Sequence, residues 1–133
     1  MLKPGQAPTI RVLIADDVSD LRSMLRIVLE SWGSFEIVAE AGDGAEAVAL
    51  TEAYLPHAVV LDLSMPVMDG LEAIPEIRRR APGIHIVVLS GFASEAMETV
   101  ALSQGADAYL EKIDAVPMLA ATLERVCSEV SVR

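Results

Sequence analysis

Three short runs constrain this chain more than any other feature: Ile10 to Ala15, Ala58 to Leu61 and Ile84 to Leu89 are almost wholly apolar and rich in Val and Ile. A strand that faces water on one side alternates apolar and polar residues, whereas a strand covered on both faces does not. These runs therefore predict strands of a parallel sheet with helices on both sides. Two weaker runs, Phe35 to Ala39 and Ala108 to Leu110, supply further strands nearer the sheet edges.

Helical patterns lie between the strands. Val18, Leu21, Leu25, Val28, Leu29 and Trp32 recur at helical spacing, with Asp20, Arg22, Arg26 and Glu30 on the other face. The segments Gly44 to Tyr54, Leu71 to Arg80, Ser94 to Gln104 and Ala115 to Val130 follow, the last with a stripe of Leu119, Leu123, Val126 and Val130. Asp43, Ser94 and Asp114 are placed to cap helix N-termini, and Gly33, Gly83 and Gly105 follow or end helical segments. Pro117 falls in a first helical turn, where its missing N–H costs little, but Pro75 lies well inside the third helix, where a kink is expected. Arg78, Arg79 and Arg80 read as the solvated end of that helix, favourably placed against its dipole.

Five alternations of strand and helix require right-handed crossovers and an open doubly wound sheet, in which ligands bind beyond the carboxyl ends of the strands. A length of 133 residues suits one such domain, and 53% hydrophobic with 4% aromatic content gives it an aliphatic core. The net charge of −10 would repel a nucleic-acid backbone, which argues against direct nucleic acid binding. Cys127 is the sole cysteine, so neither an internal disulfide nor a zinc site is expected, and a reduced cytoplasmic compartment fits. Residues 1–9 lack the apolar stretch of a signal peptide and read as a flexible tail. No apolar run approaches the roughly 20 residues that span a bilayer, so no membrane role is expected.

The polar residues at the strand ends carry the chemistry. Asp16 and Asp17 close the first strand, Asp62 the third and Ser90 the fourth, and Lys112 follows the fifth. Parallel strands bring all five to one edge. At about 4 Å, each pair among three carboxylates costs roughly 4 kcal/mol at an effective dielectric of about 20. A cation must offset that repulsion, and a few hard oxygen ligands favour Mg²⁺ over zinc or fully caged calcium. Phosphoryl transfer is the natural use, with a carboxylate as nucleophile and a lysine balancing charge on the transferring oxygens. Asp62, from the centre of the sheet, is the expected nucleophile.

The segments VLIADD (Val12 to Asp17), VVLDLSMPVMDG (Val59 to Gly70), IVVLSGFAS (Ile86 to Ser94) and GADAYLEK (Gly105 to Lys112) resemble response-regulator receiver domains of the chemotaxis-receiver-like superfamily, in the correct order and each at a predicted strand end. The resemblance spans Ile10 to about Val130, which implies a receiver domain over 10–130 between tails at 1–9 and 131–133. It implies an α/β, flavodoxin-like doubly wound five-stranded parallel sheet, strand order 2-1-3-4-5, with five helices. It implies Asp62 as phosphoacceptor, Asp17 as a direct Mg²⁺ ligand, Asp16 acting through water, and the Ser64 backbone carbonyl completing the site, with Mn²⁺ as a substitute ion. Ser90 matches the switch hydroxyl, Tyr109 the aromatic switch, and Lys112 the lysine that pairs with the phosphoryl group.

The implied function is a two-component phosphoacceptor that catalyses its own phosphorylation and slow dephosphorylation. A sensor histidine kinase or histidine phosphotransfer protein is the implied donor. Switching would repack the face made by the fourth helix, fifth strand and fifth helix, from about Ser94 to Val130, to control partner binding or a phosphorylation-dependent homodimer. Phosphoryl lifetime depends on residues beside the pocket, here Ser64 and Phe92. Ile113 stands where many receivers carry proline, a departure that leans toward regulators with helix-turn-helix output domains.

Competing readings are weaker. A phosphohydrolase passing through an aspartyl phosphate usually has a second acid two residues past the nucleophile, where this chain has Ser64. A flavodoxin-like binding module would need a phosphate-binding loop where Asp16 and Asp17 repel phosphate. A pseudo-receiver normally lacks one of the acids or the lysine. His57 and His85 read as surface residues, and Met65, Met68, Met97 and Met118 as packing.

Overall fold

The computed structural model describes residues 9–91 and 94–131. Most of the expected N-terminal tail, Phe92 and the last two residues lie outside them. The described elements are β1 (Ile10–Ala15), α1 (Ser19–Ser31), β2 (Phe35–Ala41), α2 (Gly44–Tyr54), β3 (Ala58–Asp62), α3 (Gly70–Arg80), β4 (His85–Ser90), α4 (Glu95–Gln104), β5 (Ala108–Glu111), a 3-10 turn (Lys112–Asp114) and α5 (Ala115–Ser131). All strand pairs are parallel, in the order β2-β1-β3-β4-β5. The doubly wound architecture expected from the alternation is observed, with the flavodoxin-like strand order that the resemblance implies.

Every residue of β3 is buried, as the apolar run Ala58 to Leu61 requires of a central strand, and the burial extends to Asp62 at its end. Successive side chains point to opposite faces and feed two separate cores. On one side Leu13, Val59, Leu61, Ile86 and Val88 pack against Ala47, Ile74, Ile77 and Ala101 of α2, α3 and α4. On the other, Val12, Ile14, Val60, Val87 and Leu89 meet Leu25 and Leu29 of α1 and Leu119, Leu123 and Val126 of α5. Truncating a fully buried Leu or Ile here to Ala should cost about 2–5 kcal/mol.

Some helix details depart from the sequence reading. Only the middle of the α1 stripe is buried: Leu25 and Leu29 are fully covered, while Val18 and Trp32, which flank the helix as its N-cap and C-cap, are about half exposed. Asp43 and Ser94 cap α2 and α4 as expected, through Glu46 N and Met97 N. Asp114 does not precede its helix as a cap: it belongs to the 3-10 turn that runs directly into α5. Helix α3 is continuous through Pro75, which lies on its exposed side.

The arginine run at the end of α3 is not uniformly solvated. Arg78 reaches across the fold and donates to the carbonyls of Gly105, Pro82 and Ile84 and to the carboxylate of Asp107, the last at 2.6 Å. It ties the end of α3 to the α4–β5 connection. His85 begins β4, with Nδ1 3.7 Å from the same Asp107 carboxylate. His57 is exposed, and its Nδ1 accepts the backbone N–H of Arg11 at 2.9 Å. No helix among the described residues is long and apolar enough to cross a membrane.

Candidate functional site

The carboxyl ends of β1 and β3 are adjacent, since Ala15 pairs with Leu61, so the residues that follow, Asp16 and Asp62, emerge side by side. Both are almost fully buried, at 1% and 2% exposure, while Asp17 is exposed at the rim. Carboxylate oxygens of all three lie within 4.8 Å of one another. Lys112 stands over the buried pair, its Nζ 3.1 Å from Asp16 Oδ2 and 3.1 Å from Asp62 Oδ2. Neither oxygen meets hydrogen-bond geometry with it, so the contact is an ion pair that leaves each oxygen able to accept another ligand.

The remaining oxygens are held by backbone. Asp16 Oδ1 accepts the N–H of Val18 at 2.9 Å, and Asp62 Oδ1 accepts the N–H of Ser64 at 3.1 Å. Both are short-range turns in which an aspartate orders the loop leaving its own strand. Burial pushes the Asp62 carboxyl up from its ordinary range, reinforced by the Asp16 charge and opposed by the Ser64 N–H and Lys112. Burial works against the charge on Lys112, but Asp16 and Asp62 outweigh it and raise its pKa. One ammonium against three carboxylates leaves the cluster with excess negative charge, which fits a divalent cation.

The loop after β3 closes one wall. Asp69 accepts from Glu72 N while Glu72 returns a bond to Asp69 N, a reciprocal cap that fixes the start of α3. Within the loop Met68 N–H reaches Pro66 O at 2.7 Å, with Val67 at φ +68°, a tight turn in a backbone region that a β-branched residue rarely adopts. Above Asp62 opens a cavity of about 340 Å³, bordered by Ser64, Met65, Asp69, Ser90 and Met97. Ser90 ends β4 and is buried. Tyr109 sits on β5, half-buried, and packs with Met97 against the same core.

All the expected polar residues at the strand ends thus gather at one rim, with Tyr109 one element away. The sequence reading missed a supporting layer. Arg22, which the helical pattern assigned to the outer face, donates from Nη1 to the carbonyl of Asp16 at 2.5 Å and from Nε to Glu40 at 3.1 Å. Arg26 binds the other Glu40 oxygen at 2.8 Å. Burial alone would raise the Glu40 pKa, but the two guanidinium groups outweigh it and hold it low. The Asp69 and Glu72 cap was missed as well, although its D-x-x-E spacing before a helix is the signal that finds it; the Arg22 contacts carry no local signal.

The response regulator receiver domain family model matches residues 12–124. Chemotaxis protein CheY of Halobacterium salinarum is 39% identical over 102 residues, covering 77% of this chain and 83% of that protein. The transcriptional regulatory protein PdtaR of Mycobacterium tuberculosis is 42% identical over 120 residues, 89% of this chain but 57% of its own length. Among solved structures, the receiver domain of the putative response regulator NarL of M. tuberculosis superposes with a TM-score of 0.87 at 30% identity, covering 92% of this chain and 98% of that one. A CheX–CheY–BeF3–Mg²⁺ complex from Borrelia burgdorferi gives 0.79 at 28% identity, covering 92% and 90%. Fold, sequence and the acidic rim agree: the chain belongs to the response regulator receiver domain family of two-component signalling proteins.

Proposed function

We propose that Asp62 accepts a phosphoryl group from a phosphohistidine donor, a sensor histidine kinase or a histidine phosphotransfer protein, in the cytoplasm. The observation that carries this reading is the buried Asp62 carboxylate facing both an ammonium group and two further acids at the floor of an open cavity. A lone pair on an Asp62 oxygen forms the new O–P bond as the donor N–P bond breaks, and the departing imidazole takes up a proton from water. Lys112 balances negative charge on the phosphoryl oxygens. Asp16, Asp17, Asp62 and the Ser64 backbone carbonyl are the residues that would hold Mg²⁺, or Mn²⁺ in its place. When bound, the ion would neutralise the acids and the phosphoryl oxygens.

Ser90 and Tyr109 are the switch residues in this reading. The Ser90 hydroxyl turns toward the new phosphoryl oxygens, and Tyr109 repacks beside Met97. The face of α4, β5 and α5 then changes its affinity for a partner or for a second copy. Because the cavity is open, water reaches the acyl phosphate, so the domain also catalyses its own slow dephosphorylation. The CheX–CheY complex described with BeF3 and Mg²⁺ supports the same chemistry by analogy.

A phosphotransfer chase tests the reading. With a radiolabelled phosphohistidine donor and Mg²⁺, label should pass to the wild-type chain. Lys112→Ala should retain metal binding but respond poorly, whereas Asp17→Ala should lose metal affinity. Transfer at the wild-type rate in both variants would defeat the proposal.

A further inference from the structure

We propose that the groove between α4, β5 and the start of α5 receives a cationic, apolar segment of a partner protein, and does not pair with the same face of a second copy. This rests on the reading that the α4–β5–α5 face is the output face, and adds the chemistry of what that face takes.

The groove holds about 290 Å³ and combines two kinds of lining. Tyr109, Leu110 and Met118 make it apolar, and Ile113 and Val116 beside it are exposed, Ile113 by 83%. Glu95, Glu98, Glu111 and Asp114 make it acidic. Among the described residues no ion pair reaches any of these four. Acids that do find a cation lie elsewhere, among them Glu40 with Arg22 and Arg26, Glu76 with Arg79 and Asp107 with Arg78; what sets the four apart is that they border one apolar groove. From Ser94 to Glu124 the only basic residue is Lys112, and its ammonium is turned inward onto Asp16 and Asp62.

A symmetric dimer seated groove to groove would set the same four acids against one another with no cation among the lining residues of either copy. A segment carrying Lys or Arg beside Leu, Met or aromatic side chains meets both demands, its charges on the acids and its apolar groups against Tyr109, Leu110 and Met118. The groove is also joined to the phosphoacceptor site: Met97 lines the cavity beside Asp62, while Glu95 and Glu98 on the same turn of α4 line the groove.

The test uses the ¹⁵N-labelled full chain with beryllofluoride and Mg²⁺, titrated with a synthetic amphipathic Lys/Leu peptide and, separately, its Glu/Leu counterpart. Amide shifts should concentrate in Glu95–Glu98 and Tyr109–Met118 for the Lys/Leu peptide and be absent for the other. Glu95→Lys with Glu98→Lys and Glu111→Lys should weaken binding about tenfold, whereas the same charge change made by Glu30→Lys, Glu36→Lys and Glu52→Lys should leave it within about twofold. Shifts spread over acids on every face, equal losses in the two triple variants, or a dimer in sedimentation whose interface maps to this groove would overturn the proposal. Acyl phosphate formation at Asp62, followed in parallel with acetyl phosphate, reports on the phosphoacceptor reading separately. Labelled Asp62 with peptide bound elsewhere defeats only the partner assignment; unlabelled Asp62 with peptide in the groove defeats only the phosphoryl chemistry.

Discussion

Gly70 lies so close to Asp62 that a Cβ added to it would stand 2.4 Å from the Asp62 carbonyl oxygen and 2.7 Å from Leu63 Cα. The obstacle is backbone, which no side-chain rotation relieves. Helix propensity alone would favour alanine at the start of α3 by up to about 1 kcal/mol, but overpacking against backbone costs about 1–3 kcal/mol. Gly70→Ala should therefore lower the denaturant midpoint and also weaken Mg²⁺ binding, because the displaced segment carries the Asp62 carboxylate of the acidic cluster. A stable variant with unchanged ion affinity would show that the loop absorbs the change away from Asp62.

The Arg22 contacts predict a separate effect. Arg22 holds the Asp16 carbonyl and Glu40 together, with both side chains mostly covered. Arg22→Ala should destabilise the fold by about 1–2 kcal/mol and reduce Mg²⁺ affinity through the β1–α1 loop. Arg22→Lys should recover part of the stability but less of the affinity, since an ammonium cannot serve both acceptors as a guanidinium does. Calorimetric Mg²⁺ titration of the two variants separates these outcomes.

The difference between what was legible and what was not follows from range. Val59 to Leu61 announce a central strand because burial on both faces leaves no polar position, and Asp62 then stands out as the first charge after it. Asp43 and Ser94 were readable as caps because their partners lie three residues away. Periodicity alone puts Arg22 on an outer face and Arg78 at a solvated helix end because their partners lie across the fold, at Asp16 and Gly105, where a long side chain can cover its stem while its head finds a distant carbonyl. Asp114 failed as a cap because the 3-10 turn merges with α5, a boundary that propensity does not resolve.

The tight turn at Val67 stores strain without evident packing in return, since Val67 is 84% exposed with φ +68°. Asparagine tolerates this backbone region far better. Val67→Asn should stabilise the domain by about 1 kcal/mol. A lower melting temperature in this variant would mean that the turn depends on the valine side chain.

Cys127 offers a pH test. Burial, with Asp107 adding to it, raises the thiol from 9.0 to about 11. The folded chain therefore holds this proton where the unfolded chain releases it. The associated stability is fully present below the unfolded value of 9.0 and is lost as pH rises through about 11. Wild type should lose stability over that interval more steeply than Cys127→Ala, in denaturant midpoints measured across it. Parallel curves would contradict the burial of the thiol.

The most direct measurement is the position of the acyl phosphate itself. The purified chain is incubated with acetyl phosphate, with and without Mg²⁺, the adduct is trapped by borohydride reduction, and the modified residue is located by mass spectrometry. Modification at Asp62 that requires the ion and vanishes in Asp62→Asn is the predicted result. Trapped adduct at another aspartate in the wild-type chain, or an undiminished yield in Asp62→Asn, would contradict it.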